Sequence, residues 1–454
     1  MNYAETIKEI VTRISPSPTV YVHSFGCRLN VSDGNSLLGK ILDMGFAETE
    51  DVNSASLIII NTCAVRENAE KKVYGVIGEL KHVKEKNPDV IIAVCGCMTQ
   101  EKHVAEFIKN TYRHVDFCFG TFAYKKFPEL LYNALTKNEF QCDNNEYPND
   151  FSDFNLYQKS VIKADVPIMY GCDNYCSYCI VPYVRGRERS REVSDILSDI
   201  RTLTDNGFKE ILLLGQNVNS YGNTLKPPVP FSELLKQAAE IPGDFKIRFM
   251  SPHPKDMRKD LIDIIAEYPK LCKSIHLPLQ SGSNRILELM NRQYTAETYM
   301  EIVKYIRKKM PRCTISTDII VGFPGETEYD FEETLRIIKE AHFYNIFSFI
   351  YSKRTGTKAA DLPDYATAVE KTSRMTRMLT LQREIATETY AEYVEKTLTV
   401  LFDGSSKTEG LIAGKSDEGI IVEAPGTFDK IGEYRKVRIT KSHNWALEGV
   451  ILNF

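Results

Sequence analysis

The run Met169–Arg191 reads M-Y-G-C-D-N-Y-C-S-Y-C-I-V-P-Y-V-R-G-R-E-R-S-R, and the rest of the chain is best read outward from it. Cys172, Cys176 and Cys179 stand there as C-x3-C-x2-C. Three thiolates this close can grip one face of a cubic iron–sulfur cluster. One of its four irons then has no protein ligand. Such an iron can bind a small molecule directly, which turns an electron store into a catalyst. Structural zinc needs four tight ligands, and no His and no fourth Cys lies between Cys172 and Arg191. A disulfide fits poorly, because the close cysteines are odd in number and no export signal is present.

Bulk properties set the frame. At 454 residues the chain has room for two to four domains. Its 43% apolar and 26% charged content is that of a globular protein. The apolar runs Ser56–Ile60 and Asp89–Cys97 are too short to span a bilayer. Residues 1–18 lack a signal-peptide core. The expected location is cytoplasmic, with the eleven cysteines reduced or metal-bound and no membrane partner. A net charge of −4 does not announce a nucleic-acid binder.

Upstream, Thr19–Phe25 reads as a strand ending at Gly26-Cys27, and a helix follows through Leu37–Met44. Ser56–Asn61 is a buried-strand run ending at Thr62-Cys63. A long helix follows from Glu67 to Lys86. Asp89–Val94 is a third strand, followed by Cys95-Gly96-Cys97. This β-α-β-α-β pattern implies a parallel sheet with right-handed crossovers. Binding in such sheets occurs beyond the carboxyl ends of the strands. Cys27, Cys63 and Cys97 each stand just past such an end, so they are expected to converge as a second metal-binding tripod. Buried core thiols are the bland alternative. Cys97 is preferred to Cys95 because Gly96-Cys97 repeats Gly26-Cys27. Cys118, Cys142, Cys272 and Cys313 read as isolated thiols.

From Ala164 onward, strand and helix alternate. The strand runs are Val166–Tyr170, Ile211–Leu214, Lys246–Met250, Ser274–Leu279, Thr314–Val321 and Ile346–Tyr351. Between them lie amphipathic patterns such as Val193, Ile196, Leu197, Ile200 and Leu203. Six βα units imply a partial (β/α)6 barrel of TIM-like build, with active groups at the carboxyl ends of the strands. Polar residues gather there: Gln216, Asn217, Ser251, His253, Gln280, Ser281, Asp318, Glu326, Tyr351 and Arg354. Arg185, Arg187, Arg189 and Arg191 follow the cysteine loop. They suit either phosphate contacts or a solvated face paired with Glu188 and Glu192.

C-x3-C-x2-C with Tyr178 before its last cysteine resembles the radical S-adenosylmethionine (SAM) superfamily. That resemblance implies a [4Fe–4S] cluster on the catalytic Cys172, Cys176 and Cys179, with SAM on its open iron as the source of a 5′-deoxyadenosyl radical. It also implies SAM contacts by Tyr178, Gln216, Gln280 and Asp318. S-F-G-C-R-L-N, N-T-C-A-V-R-E-N-A and G-C-M-T-Q are similar to the three cysteine motifs of the methylthiotransferases. These carry a second [4Fe–4S] cluster, here on Cys27, Cys63 and Cys97. Arg28-Leu29-Asn30 departs from the Q-M-N more usual in the tRNA enzymes. G-Q-N-V-N-S-Y-G, H-L-P-L-Q-S-G-S and I-V-G-F-P-G-E-T resemble the tRNA-directed branch.

The branch most resembled makes 2-methylthio-N6-dimethylallyladenosine. It implies as partners a tRNA anticodon stem-loop carrying isopentenyladenosine, an electron donor such as flavodoxin or ferredoxin, and a sulfur donor. Within the family, the alternatives are threonylcarbamoyladenosine in tRNA or a ribosomal-protein aspartate as substrate. An iron–sulfur carrier or electron-transfer protein is the alternative from another class.

Beyond the barrel, Ala366–Val394 is a long polar helix pattern. Leu398–Phe402, Gly410–Ile412, Gly419–Glu423, Arg435–Ile439 and Ala446–Leu452 then alternate as short strands, which suggests a small closed β-barrel. It resembles the TRAM module, an RNA-binding domain. Eight Lys and Arg against nine Asp and Glu in Val394–Phe454 leave it without a basic character. The organisation expected is thus an α/β protein. An N-terminal extension spans 1–18, a parallel α/β sheet domain with the auxiliary cluster 19–145, and a linker 146–160. The radical SAM core spans 161–393 and the TRAM barrel 394–454.

Overall fold

A computed structural model describes residues 3–14, 17–64, 67–137, 139–146, 154–443 and 445–452. The chain divides into two compact units. The first is Met1–Lys159 with Tyr170–Asp173 and Ile180–Arg187; the second is Ser160–Met169, Asn174–Cys179 and Glu188–Phe454.

The first unit is built on six parallel strands: β1 (Thr19–Ser24), β2 (Ala47–Glu48), β3 (Leu57–Thr62), β4 (Ile91–Gly96), β5 (Phe117–Gly120) and β6 (Gln141–Asp143). Their order is β2-β1-β3-β4-β5-β6. The helices are α1 (Tyr3–Ile14), α2 (Arg28–Asp43), α3 (Glu67–Lys86), α4 (Lys102–Thr111) and α5 (Phe127–Lys137), and the short α6 (Val181–Arg185) joins this unit. Strand β3, L-I-I-I-N-T, is buried along its whole length. Its alternate residues serve opposite faces, as the strand period dictates. Ile58 and Ile60 join Val73, Ile77, Val104 and Ile108 on the face of α3 and α4. Leu57 and Ile59 join Leu37, Leu38, Ile41 and Phe127 on the face of α2 and α5. Each such side chain, fully buried, contributes about 1.5–3 kcal/mol.

The helix expected through Leu37–Met44 begins at Arg28, which places Cys27 at its N-cap position. Residues 154–159, within the stretch read as a linker, are packed on the first unit. The Asn155 amide donates to Ser36 Oγ (2.9 Å), the Tyr157 hydroxyl bonds Glu48 (3.1 Å), and Lys159 pairs with Glu48. The remaining described residues of that stretch, 146 and 160, flank or follow this contact; 147–153 lie outside the described residues.

The second unit holds six parallel strands in two sheets. Lys163–Pro167, Glu210–Leu214 and Lys246–Phe249 form one, with Glu210–Leu214 central. Ser274–His276, Thr314–Val321 and Asn345–Ile350 form the other, with Thr314–Val321 central. A parallel bridge between Ile247 and Leu271 carries the first sheet toward the second. Helix Ala368–Ala391 opens on a capping box of Thr367 and Glu370. Its Arg374 ties it to Glu326 and Glu328. It leads into a closed five-stranded barrel made of Thr397–Ser405, Leu411–Ser416, Ile421–Pro425, Leu447–Ile451 and Tyr434–Ser442 in spatial order.

This barrel sits on the amino ends of the parallel strands. Lys246 pairs with Asp417 (2.8 Å), the Arg248 guanidinium donates to the Ser416 carbonyl (2.6 Å), and Lys163 pairs with Asp403. The Tyr434 hydroxyl donates to the Lys209 carbonyl and the Thr314 hydroxyl to that of Glu418. The carboxyl ends, where chemistry is expected, are therefore left to other residues.

Candidate functional site

In the first unit, Cys27, Cys63 and Cys97 are drawn together by the turns that end β1, β3 and β4. The Phe25 amide donates to the Asn61 carbonyl (2.8 Å) and the Cys97 amide to the Thr62 carbonyl (3.0 Å). Gly26 and Gly96 both hold positive φ, +94° and +102°, which favours glycine. A Cβ on Gly26 would stand 2.3 Å from Cys63 Sγ, and one on Gly96 would stand 2.4 Å from the Thr62 carbonyl oxygen. The repeated Gly-Cys turn is thus a close-approach device. Cys95 points to the other face of the sheet, into the core with Phe117, Phe119 and Leu37. Cys97 packs on the α3 and α4 side.

The Cys63 thiol donates to Cys27, and that bond, aided by Arg185, lowers the Cys27 pKa to about 6 against the effect of burial. Cys27 also stands at the N-cap position of α2, where the helix N-terminus favours negative charge. Burial pushes the Cys97 thiol up, and the Arg185 guanidinium opposes it.

Arg185 is the centre of this site. It is 4% exposed. Its Nε donates to Cys97 Sγ (3.3 Å), one Nη to Asn30 Oδ1 (3.2 Å), and the other forms an ion pair with Asp33 (2.7 Å). Asp33 also accepts from the Tyr170 hydroxyl (3.0 Å). Asn30 and Asn61 exchange amide bonds, and Tyr124 donates to Asn61 Oδ1. Burial works against the guanidinium charge, but Asp33, Cys97 and Cys27 outweigh it and keep Arg185 firmly protonated. Among the described residues no group of three or more His, Cys, Asp and Glu side chains is placed to hold a metal ion. The sulfurs are held by one another and by Arg185. Thiols beside a fixed cation are the donor chemistry that an iron–sulfur cluster takes.

Cys172 belongs to the same unit and donates its amide to the Gly186 carbonyl (3.1 Å). Cys176 and Cys179 belong to the second unit, where the Cys179 amide bonds the Cys176 carbonyl (2.9 Å). Their loop is pinned to the segment after helix Asn284–Leu289. The Ser177 amide donates to the Met290 carbonyl (3.0 Å), and Asn291 Nδ2 to the Asn174 carbonyl (3.0 Å). Arg292, 4% exposed, donates to Cys176 Sγ (3.3 Å), and its remaining contacts are the Pro278 carbonyl and the Tyr294 hydroxyl. No sequence motif pointed to Arg292, because its partner lies 116 residues away.

The other expected site residues stand at or near carboxyl ends of the second unit's strands. Gln216 follows Glu210–Leu214 and keeps a buried Oε1 with no hydrogen-bond partner. His253 Nε2 and the Tyr351 hydroxyl are likewise buried without partners, and they follow Lys246–Phe249 and Asn345–Ile350. Gln280 adopts φ +70° and its amide donates to the Asp318 carbonyl (2.8 Å). The carboxylate of Asp318 lies 3.4 Å from His276 Nε2. Tyr178 packs edge-on against Phe323, in a cluster with Ile286, Met290 and Ala359. Orphaned polar atoms at several strand ends suit a polar ligand, because an unmatched buried polar group is costly otherwise.

The arginine run is not one feature. Arg185 and Arg191 are buried, Arg191 against Asp199 (2.7 Å) and the Pro167 carbonyl. Arg187 is exposed beside Asp173 (3.5 Å). Two members of the run thus face inward and are not part of a solvated face.

Sequence comparison matches three family models in succession: Uncharacterized protein family UPF0004 over residues 19–120, Radical SAM superfamily over 166–338, and TRAM domain over 391–452. The chain is 47% identical to a tRNA-2-methylthio-N(6)-dimethylallyladenosine synthase of Acetivibrio thermocellus, covering 95% of this chain and 90% of that one. It is 46% identical to the Clostridium tetani protein of the same name, covering 95% and 96%. Its fold is similar to that of the radical SAM methyltransferase TsrM of Kitasatospora setae, with a TM-score of 0.55 at 12% identity over 76% of this chain and 77% of that one. With its radical SAM core, its TRAM barrel and relatives this similar over nearly its whole length, the chain belongs to the tRNA-2-methylthio-N(6)-dimethylallyladenosine synthase family, whose radical SAM membership implies SAM and a [4Fe–4S] cluster.

Proposed function

We propose that this enzyme acts in the cytoplasm on the anticodon stem-loop of tRNA, converting N6-isopentenyladenosine next to the anticodon to its 2-methylthio derivative. Cys172, Cys176 and Cys179 would hold the radical SAM cluster. Gln216, Gln280, Asp318 and Tyr178 would hold SAM. Cys27, Cys63 and Cys97 would hold a second [4Fe–4S] cluster that handles the inserted sulfur. When bound, the first cluster and SAM supply a 5′-deoxyadenosyl radical, suited to an aromatic C–H that no side-chain base can deprotonate. An electron donor such as flavodoxin or ferredoxin and a separate sulfur donor complete the reaction.

The observation that carries the reading is the convergence of Cys27, Cys63 and Cys97 around Arg185. A core thiol needs no charged partner, whereas a thiolate tripod does. The chain's own residues then have plain tasks. Arg185 and the N-terminus of α2 hold negative charge on the sulfurs. Gln216 and Tyr351 offer unmatched polar atoms for orienting a ligand. Tyr178 and Phe323 make an apolar wall that excludes water.

The test is nucleoside mass spectrometry after anaerobic incubation of reconstituted enzyme with SAM, a reductant and isopentenylated tRNA. A gain of one methylthio group on isopentenyladenosine is expected. Formation of 5′-deoxyadenosine without that product overturns the substrate assignment, and absence of 5′-deoxyadenosine overturns the radical reading.

A further inference from the structure

Cys118 and Cys142 read as isolated thiols in the sequence, yet the fold makes them neighbours. Cys118 lies on β5 and Cys142 on β6, in direct cross-strand register. Their sulfurs are 2.7 Å apart, with the Cys118 thiol donating to Cys142. Paired residues on adjacent strands stand about 4.8 Å apart, inside the Cα range that a disulfide needs. Cys118 is fully buried and Cys142 is exposed on the edge strand.

We propose that Cys118 and Cys142 form a reversible redox pair that closes as an intramolecular disulfide when the protein meets a low-molecular-weight disulfide. The accessible Cys142 thiolate attacks that oxidant, RSSR, forming Cys142–S–S–R and releasing RS−. The Cys118 thiol gives its proton to RS−, and its sulfur then displaces the second RS− from Cys142. Counting the proton that Cys142 sheds to solvent on forming its thiolate, which the second RS− takes up, two electrons and two protons leave the protein and two RSH form. The order is set by accessibility, since only Cys142 can be reached from solvent. The Cys118 hydrogen bond supports it, holding the Cys142 pKa down against burial.

The position gives the bond a consequence. β6 is three residues long and ends the sheet. The Asn144 carbonyl just beyond it accepts from Gln100 Nε2 (2.8 Å), and Thr99 donates to the Phe119 carbonyl (2.6 Å). Gln100 and Thr99 belong to the turn that carries Cys97. Locking β6 to β5 therefore braces that turn from its outer side. The inference is independent of which substrate the enzyme modifies.

The experiment uses the full chain in glutathione redox buffers under anaerobic conditions, followed by thiol trapping, proteolysis and peptide mass spectrometry. A Cys118–Cys142 cross-linked peptide is expected in oxidised buffer and its loss on adding dithiothreitol. In Cys118→Ser the mixed glutathione disulfide on Cys142 should accumulate at least tenfold over wild type, because no resolving thiol remains. Equal accumulation in the two proteins, or glutathionylated Cys142 in wild type with no cross-linked peptide, overturns the proposal. The buried Cys272 and Cys313 serve as internal controls and should stay unmodified.

Discussion

Replacing Arg185 by Met removes the group that the cysteine turns share. The side chain is about as long and fits an apolar pocket, but it cannot donate. Asp33, buried with Arg185, then loses its ion-pair partner and keeps the Tyr170 hydroxyl as a donor. Breaking one side of a buried ion pair costs about 3–5 kcal/mol, because the remaining charge stays uncompensated. Asn30 Oδ1 loses its bond as well, at about 1 kcal/mol, within the same range. Native-state hydrogen exchange of the first turns of α2, residues 30–38, reports this region. Each 1.4 kcal/mol is tenfold, so protection there should fall by about 10²–10⁴-fold in Arg185→Met. In Asp33→Asn/Arg185→Met both charges are gone and most of the protection should return. Unchanged protection in the single variant, or a double variant no better than the single, refutes the claim that a buried ion pair organises the site.

Two further outcomes follow from the same geometry. Gly26→Ala drives a Cβ to within 2.3 Å of Cys63 Sγ at a backbone φ of +94°. Iron in the reconstituted protein should drop by about half, from two clusters to one, while Gly75→Ala, with nothing within 4 Å of its new Cβ, keeps its iron. Glu326 is buried, and desolvation raises its pKa from 4.5 to about 7 despite the Gly322 amide (2.7 Å) and Arg374 (3.1 Å). Its contribution is therefore fully present below pH 4.5 and is lost as pH rises through 7, a change of about 3 kcal/mol. Exchange protection of residues 322–330, corrected for intrinsic rates, should fall from pH 5 to pH 8 in wild type and stay flat in Glu326→Gln.

Much of this was legible before any coordinates. The five C-terminal strands announce themselves because Gly and Asp turns separate short β-branched runs, and the observed strands overlap each one expected. The G-C repeat at Gly26-Cys27 and Gly96-Cys97 marked a backbone device that the positive φ values bear out. Strands β5 and β6 were missed for a physical reason. F-C-F-G and Q-C-D are too short to show a period, and their strand state comes from pairing with β4 outward. That miss hid the Cys118–Cys142 pair. The arginine run was ambiguous because charge patterning sees only near neighbours, whereas Arg185 finds Asn30 across 155 positions.

Arg185 and Arg292, each buried with a nitrogen on a cysteine sulfur, differ in their other partners. Arg185 has a carboxylate partner in Asp33, so its burial could be explained by that pair alone. Arg292 has none: among the described residues it makes no ion pair, and its contacts are a carbonyl, a phenol and the Cys176 sulfur. Removing a guanidinium from water costs several kcal/mol unless an anion compensates it. Tyr294 cannot be that anion near neutrality, since burial raises its pKa to about 12. Its remaining contact, Cys176 Sγ at 3.3 Å, belongs to a residue expected to hold the cluster, and a cluster bound there would bring the negative charge that Arg292 lacks. Arg292 thus suits a cysteine loop that carries an anionic bound group, and Arg185 likewise spends its Nε on Cys97 and not on Asp33.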